Sequence, residues 1–290
     1  MIINDLANFD RIMDKKTISN IESNPKSYLR WAGSKKKLIP SILSEIPNSF
    51  NSYHEPFLGF GQLFFAIKPN KAILNDINTE LINTYKCIAT EPKKLCGLLK
   101  EFVANEENYY NLRSTEVSEL SSIERSARFI ILNRYCFNGL YRVNKKGKFN
   151  VPYGGNTRNG KLPNMEELIS LKKLLSKHTI LNMDFNNAIE ENISKNDFVF
   201  IDPPYLSKKK RIFGEYDSSS LNHVDLNRLF SLIKLLDSKN VKFLMTYNDC
   251  EEIGELLNNF WVTRIESKRS INCKVDRRNV KYTELLIKNF

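Results

Sequence analysis

The feature that most constrains the fold of this chain is a series of short apolar runs that each end in a polar turn. Residues 72–74, 180–181, 198–201 and 243–245 form four such runs. Runs without polar alternation are typical of strands that are buried on both faces of a parallel sheet. Helical patterns lie between them, and in residues 225–236 the apolar side chains recur on one helical stripe. Strands that alternate with helices predict a doubly wound α/β sheet.

The two ends of the chain follow other patterns. Residues 261–266 alternate between apolar and polar side chains, and residues 283–288 are rich in strand-forming residues. These two segments predict a terminal antiparallel hairpin. Residues 1–27 are polar and rich in asparagine, which predicts a loosely held N-terminal extension.

Acidic residues follow three of the predicted strands. Asp76, Asp184 and Asp202 each lie just beyond the carboxyl end of an apolar run. Ligands of open α/β sheets bind outside the carboxyl ends of the strands, so the three acids together predict a binding site. For any one of them alone, the preference of turns for aspartate is a sufficient explanation.

The tetrapeptide Asp202-Pro203-Pro204-Tyr205 gives the most specific chemical signal. Its two prolines fix backbone dihedral angles and remove two N–H donors, so the turn offers carbonyl and carboxylate acceptors beside an aromatic ring. The exocyclic amine of a planar base carries N–H donors next to a π face, which this turn complements. A plain proline-rich turn is the alternative, and the position directly after a strand speaks against it.

Two further turns contain candidate ligand contacts. Residues 54–61 precede a predicted helix at 62–67, and Gly59 and Gly61 allow close backbone approach to a ligand. Asp76 follows the next strand, an order that suits the ribose hydroxyls of a nucleoside, although the third glycine of a dinucleotide fingerprint is missing. Lys35 lies near a predicted helix start and could contact an anion, but its local sequence favours a plain surface turn.

Residues 134–161 interrupt the alternation of strands and helices and contain no acidic residue. The basic residues of this segment are Arg134, Arg142, Lys145, Lys146, Lys148, Arg158 and Lys161. The aromatic residues are Tyr135, Phe137, Tyr141, Phe149 and Tyr153. Cations that hold phosphates and rings that wedge between bases favour a nucleic-acid reader over a solvated basic hairpin with a small core of its own.

Composition narrows the class of protein. Lysine and arginine total 44 and aspartate and glutamate 33, and the net charge of +11 fits either a polyanionic partner or a basic protein without one. The five cysteines form no Cys-x-x-Cys pair and the three histidines lie far apart, so we expect neither a metal site nor a disulfide framework. No run is long and apolar enough for a bilayer and no signal peptide is recognisable, so we expect a reducing, cytoplasm-like compartment.

In their order along the chain, these motifs resemble the Dam-type (D12 class) family of N6-adenine-specific DNA methyltransferases over about residues 28–290. The resemblance rests on the segments YLRWAGSKKKLI, HEPFLGFGQLFFAI, LNDINTELINTY, LNRYCFNGLYRVNKKGKFNVPYG, LNMDF, DFVFIDPPYL and FLMTYND. It implies an α/β fold: a Rossmann-like class I methyltransferase sheet with a mostly helical target-recognition insert plus a β-hairpin. Residues 28–86 and 179–290 would form the S-adenosylmethionine-binding catalytic domain, and residues 87–178 the target-recognition domain.

The resemblance also implies an activity and the residues that perform it. The implied reaction is direct transfer of a methyl group from S-adenosylmethionine to the N6 amine of a flipped adenine. The residues that match cofactor-binding positions are Trp31, Lys35, Asp76, Asp202, Glu55, Phe57, Gly59, Gly61, Asp184 and Phe185. The residues that match the catalytic tetrapeptide are Asp202, Pro203, Pro204 and Tyr205.

The family reads its target through the segment that resembles residues 136–154. The expected DNA contacts here and just before Trp31 are Arg30, Phe137, Asn138, Leu140, Arg142, Lys145, Lys146 and Pro152. They resemble members that read GATC, and the implied partner is double-stranded DNA, bound by a monomer without a metal or a membrane. Ser34 in place of a second glycine and the stretch 154–164 depart from the family pattern, which bears on the outer bases rather than on catalysis.

Three alternatives stay open at this point. An RNA adenine or cytosine-amine methyltransferase is the nearest, because the same tetrapeptide suits other planar amines. A catalytically inactive DNA-binding relative is the second, and the set of Trp31, Lys35 and Asp76 together with Asp202 speaks against it. A restriction nuclease is suggested by residues 266–268, but no partner acid is recognisable, and a solvated strand face is the simpler explanation.

Overall fold

A computed structural model describes residues 28–31, 33, 35–155, 161–206, 222–268 and 281–290. The N-terminal extension, Ser34 and Arg158 lie outside these residues. The centre of the molecule is a seven-stranded sheet with the order β3-β2-β1-β4-β5-β7-β6. Its strands are β1 (Tyr53–Glu55), β2 (Ala72–Asn75), β3 (Thr179–Leu181), β4 (Phe198–Ile201), β5 (Lys242–Asn248), β6 (Trp261–Lys268) and β7 (Lys281–Lys288).

The direction of the strands divides the sheet into two parts. β1 pairs in parallel with β2 and β4, while β3 and β5 extend the parallel part on either side. β7 lies between β5 and β6 and is antiparallel to both. All four apolar runs lie in this sheet, so the predicted α/β class and the predicted terminal antiparallel pair are confirmed.

Two hydrophobic cores lie on opposite faces of the sheet. Along β4, Phe198 and Phe200 enter one core, whereas Val199 and Ile201 enter the other. Successive side chains of a strand point to opposite faces, and all four of these side chains are buried. The missing polar alternation in this run is therefore explained by helices that cover both faces of the sheet.

Helices α8 (Phe185–Glu190), α9 (His223–Ser238) and α10 (Gly254–Asn259) pack in the second core. In α9 the predicted apolar stripe is buried against β4 and β5: Leu226, Leu229, Phe230, Ile233 and Leu236. The helix begins with a capping box, in which Asn222 and Asp225 bond each other's backbone N–H groups.

The first core is larger and includes the helical insert. Its helices are α1 (Ile39–Glu45), α2 (Gln62–Ile67), α3 (Thr79–Thr90), α4 (Pro92–Glu101), α5 (Glu106–Ser114), α6 (Ser122–Tyr135) and α7 (Met165–Leu175). Leu81, Tyr85 and Ile88 of α3 are buried in the same core as the strands. The domain boundary expected between residues 86 and 87 falls inside α3, and the division into two domains stays a prediction.

The segment that follows α6 forms a small core of its own. Two isolated bridges, Cys136 with Tyr153 and Val143 with Phe149, hold residues 136–153 together, and the Tyr109 hydroxyl donates to the Val151 carbonyl at 2.9 Å. Four of the aromatic residues assigned to nucleic-acid contact pack inward instead, and only Phe137 is largely exposed, at 47%. The broad interpretation of these rings was wrong, because α5 and α6 offer them an apolar surface.

In the described part of the chain, no helix combines the length and the apolarity needed to cross a membrane. Cys87, Cys96, Cys136 and Cys250 lie in this part and are free thiols, whereas Cys273 lies outside it. Nor is any group of three or more His, Cys, Asp and Glu side chains among these residues arranged to hold a metal ion.

Asn75 connects the turns that follow three neighbouring strands. It ends β2 and is 1% exposed. Its amide nitrogen donates to the carbonyls of Pro56 (3.1 Å) and Met183 (3.0 Å), and its oxygen accepts from the Met183 N–H at 3.0 Å. Pro56 follows β1 and Met183 follows β3, so one buried amide fixes the relative positions of these turns.

We expect Asn75→Ala to lower the free energy of unfolding by at least about 2 kcal/mol, because it leaves buried backbone groups without partners. Urea denaturation measures this loss. Asn182→Ala is the matched control, since the exposed Asn182 amide also donates to two backbone carbonyls, those of Asp76 (2.9 Å) and Ile77 (3.1 Å). Water replaces these exposed bonds, so the control should lose less than about 1 kcal/mol. If both variants lose the same free energy of unfolding, burial of the Asn75 hydrogen bonds does not explain their effect on stability.

Candidate active site

A cavity of about 480 Å³ opens at the carboxyl edge of the parallel strands. The turns after β1, β2, β3 and β4 form its wall together with Trp31, Gly33 and Lys35. Its volume lies in the usual range for small-molecule sites. All the predicted cofactor-binding and catalytic residues line it: Trp31, Lys35, Glu55, Phe57, Gly59, Gly61, Asp76, Asp184, Phe185, Asp202, Pro203, Pro204 and Tyr205.

The turn after β1 depends on two glycines in the left-handed region. Gly59 has φ 48° and Gly61 has φ 67°, values that side-chain-bearing residues rarely adopt. A Cβ atom at Gly59 would lie 2.9 Å from Cδ1 of Trp31. Glycine at this position therefore allows the indole to lie directly against the turn and to form one wall of the cavity.

Asp76 joins the turns after β1 and β2. Its Oδ2 accepts from the Gly59 N–H and its Oδ1 from the Asn78 N–H, both at 2.9 Å. Burial raises the pKa of Asp76, and the two N–H groups oppose that rise. The carboxyl group is thus held rigidly at the rim where two strand ends meet.

Glu55 is the most perturbed acid of the site. Its side chain is buried and accepts a hydrogen bond from the Tyr53 hydroxyl at 2.8 Å. Burial raises the pKa of Glu55 to about 8, the Tyr53 bond opposes the rise, and the charges of Asp202 and Asp76 add to it. Without a ligand, most Glu55 carboxyl groups are therefore protonated at neutral pH.

Lys35 lies at the centre of the charged groups. Its Nζ is 2.9 Å from Oδ1 of Asp202, 3.0 Å from Oε1 of Glu284 and 2.9 Å from the Tyr205 hydroxyl. Burial opposes its charge, but Asp202 and Glu284 together raise the pKa of Lys35 above its ordinary value. The Lys35 side chain is only 11% exposed, so the surface-turn interpretation was wrong.

Strand β5 supports the tetrapeptide turn from behind. The Thr246 hydroxyl donates to Oδ1 of Asp202 at 2.6 Å. The Tyr205 ring meets the Tyr247 ring edge-on with a centroid distance of 5.0 Å, and the Tyr247 hydroxyl accepts from the Leu206 N–H at 3.2 Å. These contacts hold the turn Asp202–Tyr205 at its first residue and at its last.

The acidic-aromatic pair after β3 forms another part of the wall. Asp184 caps α8 by accepting from the Asn186 N–H at 3.0 Å, and it pairs with Arg228 of α9. Phe185 packs on Phe57 with a centroid distance of 5.0 Å, and the Arg228 guanidinium lies 4.9 Å from the centre of the Phe185 ring. Two aromatic rings and a neutralised carboxylate make this the more apolar part of the cavity.

The expected DNA contacts lie outside the cavity wall. The exposed residues among them are Phe137, Arg142, Lys145, Lys146 and Pro152. Asn138 and Leu140 are half-buried, and Arg30 packs so closely on the turn Phe137–Gly139 that a Cβ at Gly139 would overlap its Cδ. The structure thus brings Arg30 next to residues 136–154, the predicted recognition segment, and the Arg30 backbone N–H donates to Asn133 Oδ1 at 2.7 Å.

Sequence reasoning missed several residues of the site. Tyr141 lines the cavity and stacks on Trp31 with a centroid distance of 5.6 Å, although we had assigned it to nucleic-acid contact. Thr246 lies inside an apolar strand, and Glu284 lies near the start of a strand rather than after its end. Asn78 also lines the cavity, and of these residues it alone could have been found from the sequence, because it follows Asp76 by two residues and caps α3.

Comparison with known proteins identifies the class. Residues 31–271 match the family described as D12 class N6 adenine-specific DNA methyltransferase. The chain therefore belongs to the D12 class of N6-adenine-specific DNA methyltransferases, and the Rossmann-like methyltransferase fold that the resemblance implied is confirmed.

Particular relatives match along nearly their whole length. The type II methyltransferase M1.LlaDCHI of Lactococcus lactis subsp. cremoris is 36% identical over 276 residues, which cover 92% of this chain and 96% of the relative. The type II methyltransferase M.MjaIII of Methanocaldococcus jannaschii is 34% identical, with 91% and 99% covered. The DNA adenine methylase of Haemophilus influenzae is 30% identical, with 90% and 92% covered.

The raised pKa of Glu55 predicts a pH dependence of stability. The folded protein binds this proton more tightly than the unfolded chain, whose pKa is near 4.5, so the stabilisation is complete below that pH and is lost as the pH rises through about 8. We expect the unfolding free energy of wild type, relative to Glu55→Gln, to decline over this window by at most about 1.4 kcal/mol per pH unit. Urea denaturation at a series of pH values measures the difference.

The exposed Glu191 supplies the control for this measurement. Glu191→Gln changes the net charge by the same amount without removing a buried carboxyl group. The difference in unfolding free energy between Glu191→Gln and wild type should not change with pH over the same range. If the difference between Glu55→Gln and wild type is also independent of pH, Glu55 does not bind its proton more tightly in the folded protein than in the unfolded chain.

Proposed function

We propose that this chain is a site-specific DNA adenine N6-methyltransferase that uses S-adenosylmethionine on double-stranded DNA. The observation that carries the proposal is that the turn Asp202–Tyr205 shares one cavity with Trp31 and Asp76. A flipped base and a nucleoside cofactor need to meet at such a point. Membership of the adenine-specific DNA methyltransferase family supports adenine in DNA over RNA or cytosine.

The chemistry of the cavity wall suits S-adenosylmethionine. Trp31, Phe57 and Phe185 offer flat apolar surfaces for an adenine ring, and the Asp76 carboxylate suits the ribose hydroxyls. The acids that line the cavity are Glu55, Asp76, Asp184, Asp202 and Asp225, whereas Lys35 is its only basic residue within the described part of the chain. With Glu55 protonated, four carboxylates remain against Lys35 and Arg228, and this excess favours a cationic ligand such as one with a sulfonium and an ammonium group.

Asp202 and the Pro203 carbonyl are the proposed acceptors for the amine of the target base. When bound, the cofactor supplies an electrophilic methyl group. Lys35 and Thr246 both bind Oδ1 of Asp202, so we assign the acceptor role to Oδ2. Hydrogen bonds from the amine orient its lone pair and favour the positive charge that develops on nitrogen as the methyl–sulfur bond breaks, which is catalysis by positioning and electrostatics. The methylated amine then releases one proton to solvent.

Base flipping is part of the proposal, because an adenine that is paired and stacked cannot present its amine to this turn. Extrusion costs a few kcal/mol, which contacts to the extruded base and to the opened duplex offset. Tyr205 offers a ring for the base, and Phe137 is exposed and suited to entering the space left in the duplex. All of these groups belong to one chain, which is compatible with a monomer.

The proposed target is GATC, on the resemblance of residues 136–154 to family members that read this sequence. Arg142 is exposed, and its Nε donates to Oδ1 of Asn150 at 2.7 Å, so the guanidinium is held in one orientation. A fixed guanidinium suits bidentate contact with a guanine. Lys145 and Lys146 are exposed on the same segment and suit phosphates. The relatives named type II methyltransferases make a restriction-modification role the first one to examine.

Asp202→Ala should abolish methyl transfer to DNA, because the amine loses its main acceptor. The measurement is incorporation of labelled methyl groups into unmethylated duplex DNA, with thermal unfolding as a check of the fold. Asp249→Ala is the control, since Asp249 follows the neighbouring strand β5 but is exposed and does not line the cavity. A folded and fully active Asp202→Ala variant would overturn the assignment.

Expression in a host without DNA methylation, followed by mapping of methylated adenines, tests the target sequence. We expect wild type to methylate GATC and Arg142→Ala to lose discrimination at one base of the site, by about 1–3 kcal/mol. Lys146→Ala is the control and should weaken methylation of all sequences uniformly. A uniform loss for Arg142→Ala would identify Arg142 as a phosphate contact instead, and a different mapped sequence would replace GATC.

A further inference from the structure

Glu284 is a buried carboxylate for which neither the motifs nor the family match provides a role. It lies near the start of β7, beyond the matched residues 31–271, and only 2% of its side chain is exposed. A buried carboxylate is costly unless it is paired and hydrogen-bonded, so its partners are informative.

The partners of Glu284 are two residues of the proposed transfer site. Its Oε1 lies 3.0 Å from Nζ of Lys35 and accepts a hydrogen bond from the Tyr205 hydroxyl. Lys35 in turn donates to the Tyr205 hydroxyl and pairs with Asp202, each at 2.9 Å. Glu284 therefore closes a ring of contacts that involves both ends of the tetrapeptide turn.

The antiparallel direction of β7 explains how Glu284 reaches this place. β7 pairs with β5 so that Glu284 lies opposite Asn248, the last residue of β5. The beginning of β7 thus lies at the same edge of the sheet as the carboxyl ends of the parallel strands. A rigid strand, rather than a loop, presents the carboxylate to Lys35 and Tyr205.

We propose that Glu284 is a positioning residue of the methyl-transfer site, which holds the Tyr205 hydroxyl and the Lys35 ammonium so that the turn Asp202–Tyr205 keeps one geometry. This inference rests on the function proposed above. Without Glu284 the Tyr205 ring loses a partner that fixes its orientation, and Lys35 is left with one carboxylate instead of two. Misplacement by about 1 Å lowers rates by roughly a hundredfold in such sites.

Removing the charge of Glu284 also changes the titration of Lys35. The groups that face Lys35 are Asp202 and Tyr205 from the turn after β4 and Glu284 from β7. Burial lowers the pKa of Lys35, and the two carboxylates raise it above its ordinary value. In Glu284→Gln only the charge of Asp202 remains to counter the effect of burial on Lys35. The pKa of Lys35 should therefore fall, and a larger fraction of its amine should be neutral at alkaline pH.

The test compares wild type, Glu284→Gln, Glu284→Asp and the control Glu266→Gln in the full chain. Glu266 lies opposite Thr283 in the antiparallel pair and is exposed, so its variant makes the same charge change on the neighbouring strand. The measurements are kcat on duplex DNA, the Kd of S-adenosylmethionine by calorimetry, and acetylation of Lys35 followed by mass spectrometry across pH. The last two need no turnover.

We expect Glu284→Gln to lower kcat by about tenfold to a hundredfold, with a much smaller change in the cofactor Kd. Lys35 should become acetylated at lower pH than in wild type. Glu284→Asp keeps the charge and should recover part of kcat and most of the Lys35 protection. Glu266→Gln should match wild type in all three measurements.

Several results would overturn the proposal. Unchanged kcat and unchanged Lys35 acetylation in Glu284→Gln would do so, as would an equal loss in Glu266→Gln. If Glu284→Gln does not fold, Tyr205→Phe removes the same hydrogen bond with little change in volume, and full kcat in that variant would contradict the positioning role. If wild type itself transfers no methyl group to DNA, the proposed function fails, and the acetylation comparison still decides whether Glu284 controls Lys35.

Discussion

The parallel pairing of β1 with both β2 and β4 is the constraint on which the site depends. Because the three strands run in the same direction, their carboxyl ends lie side by side, and the turns that follow them share one cavity. The short side chain of Asp76, which follows β2, can therefore reach the backbone N–H of Gly59, which follows the adjacent strand β1. The site is thus built from short turns on a rigid edge, which suits positioning better than long loops.

Charge is the second property that the sheet edge determines. Five carboxyl groups and one ammonium group face the cavity, and Arg228 pairs with two of the carboxylates, so more acid lies there than Lys35 and Arg228 can neutralise. Glu55 adds little to this negative charge, because burial, helped by the charges of Asp202 and Asp76, raises its pKa and keeps it protonated. Under the proposed reaction the site attracts a cationic cofactor, and transfer of the methyl group removes that positive charge. The electrostatic attraction is therefore greater before the reaction than after it, which assists exchange of product for fresh cofactor.

Patterns in the sequence were sufficient for four of the parallel strands, β2 to β5, and for the acids that follow three of them, but no apolar run marked the short strand β1. Their apolar runs lack alternation because both faces are covered, and Asp76, Asp184 and Asp202 follow the rule that ligands lie at carboxyl ends. The same rule could not find Glu284, because β7 is antiparallel and contributes its beginning to that edge. The rule could not find Thr246 either, because this residue lies within an apolar strand rather than after its carboxyl end.

The recognition segment shows a different limit of sequence patterns. Basic and aromatic residues alternate there in a way that suits nucleic acid, yet whether a ring faces outward depends on the helices that pack beneath it. Tyr141 turns toward Trp31, Phe129 and Phe149, whereas Phe137 stays exposed. Information of this kind is tertiary, since it rests on side chains contributed by α6 and by the turn before α1.

The position of Tyr141 also links the two halves of the proposed function. It lies between Leu140 and Arg142, both expected at base edges, and its ring stacks on Trp31 in the wall of the cavity proposed to bind the cofactor. Trp31 in turn lies directly against Gly59, where even a methyl group would collide with it. The segment proposed to read DNA, the indole and the glycine turn therefore pack against one another in one column. Close-packed side chains rearrange together rather than singly, so under the proposed function a shift of the DNA-contacting residues would also move the wall of the cavity.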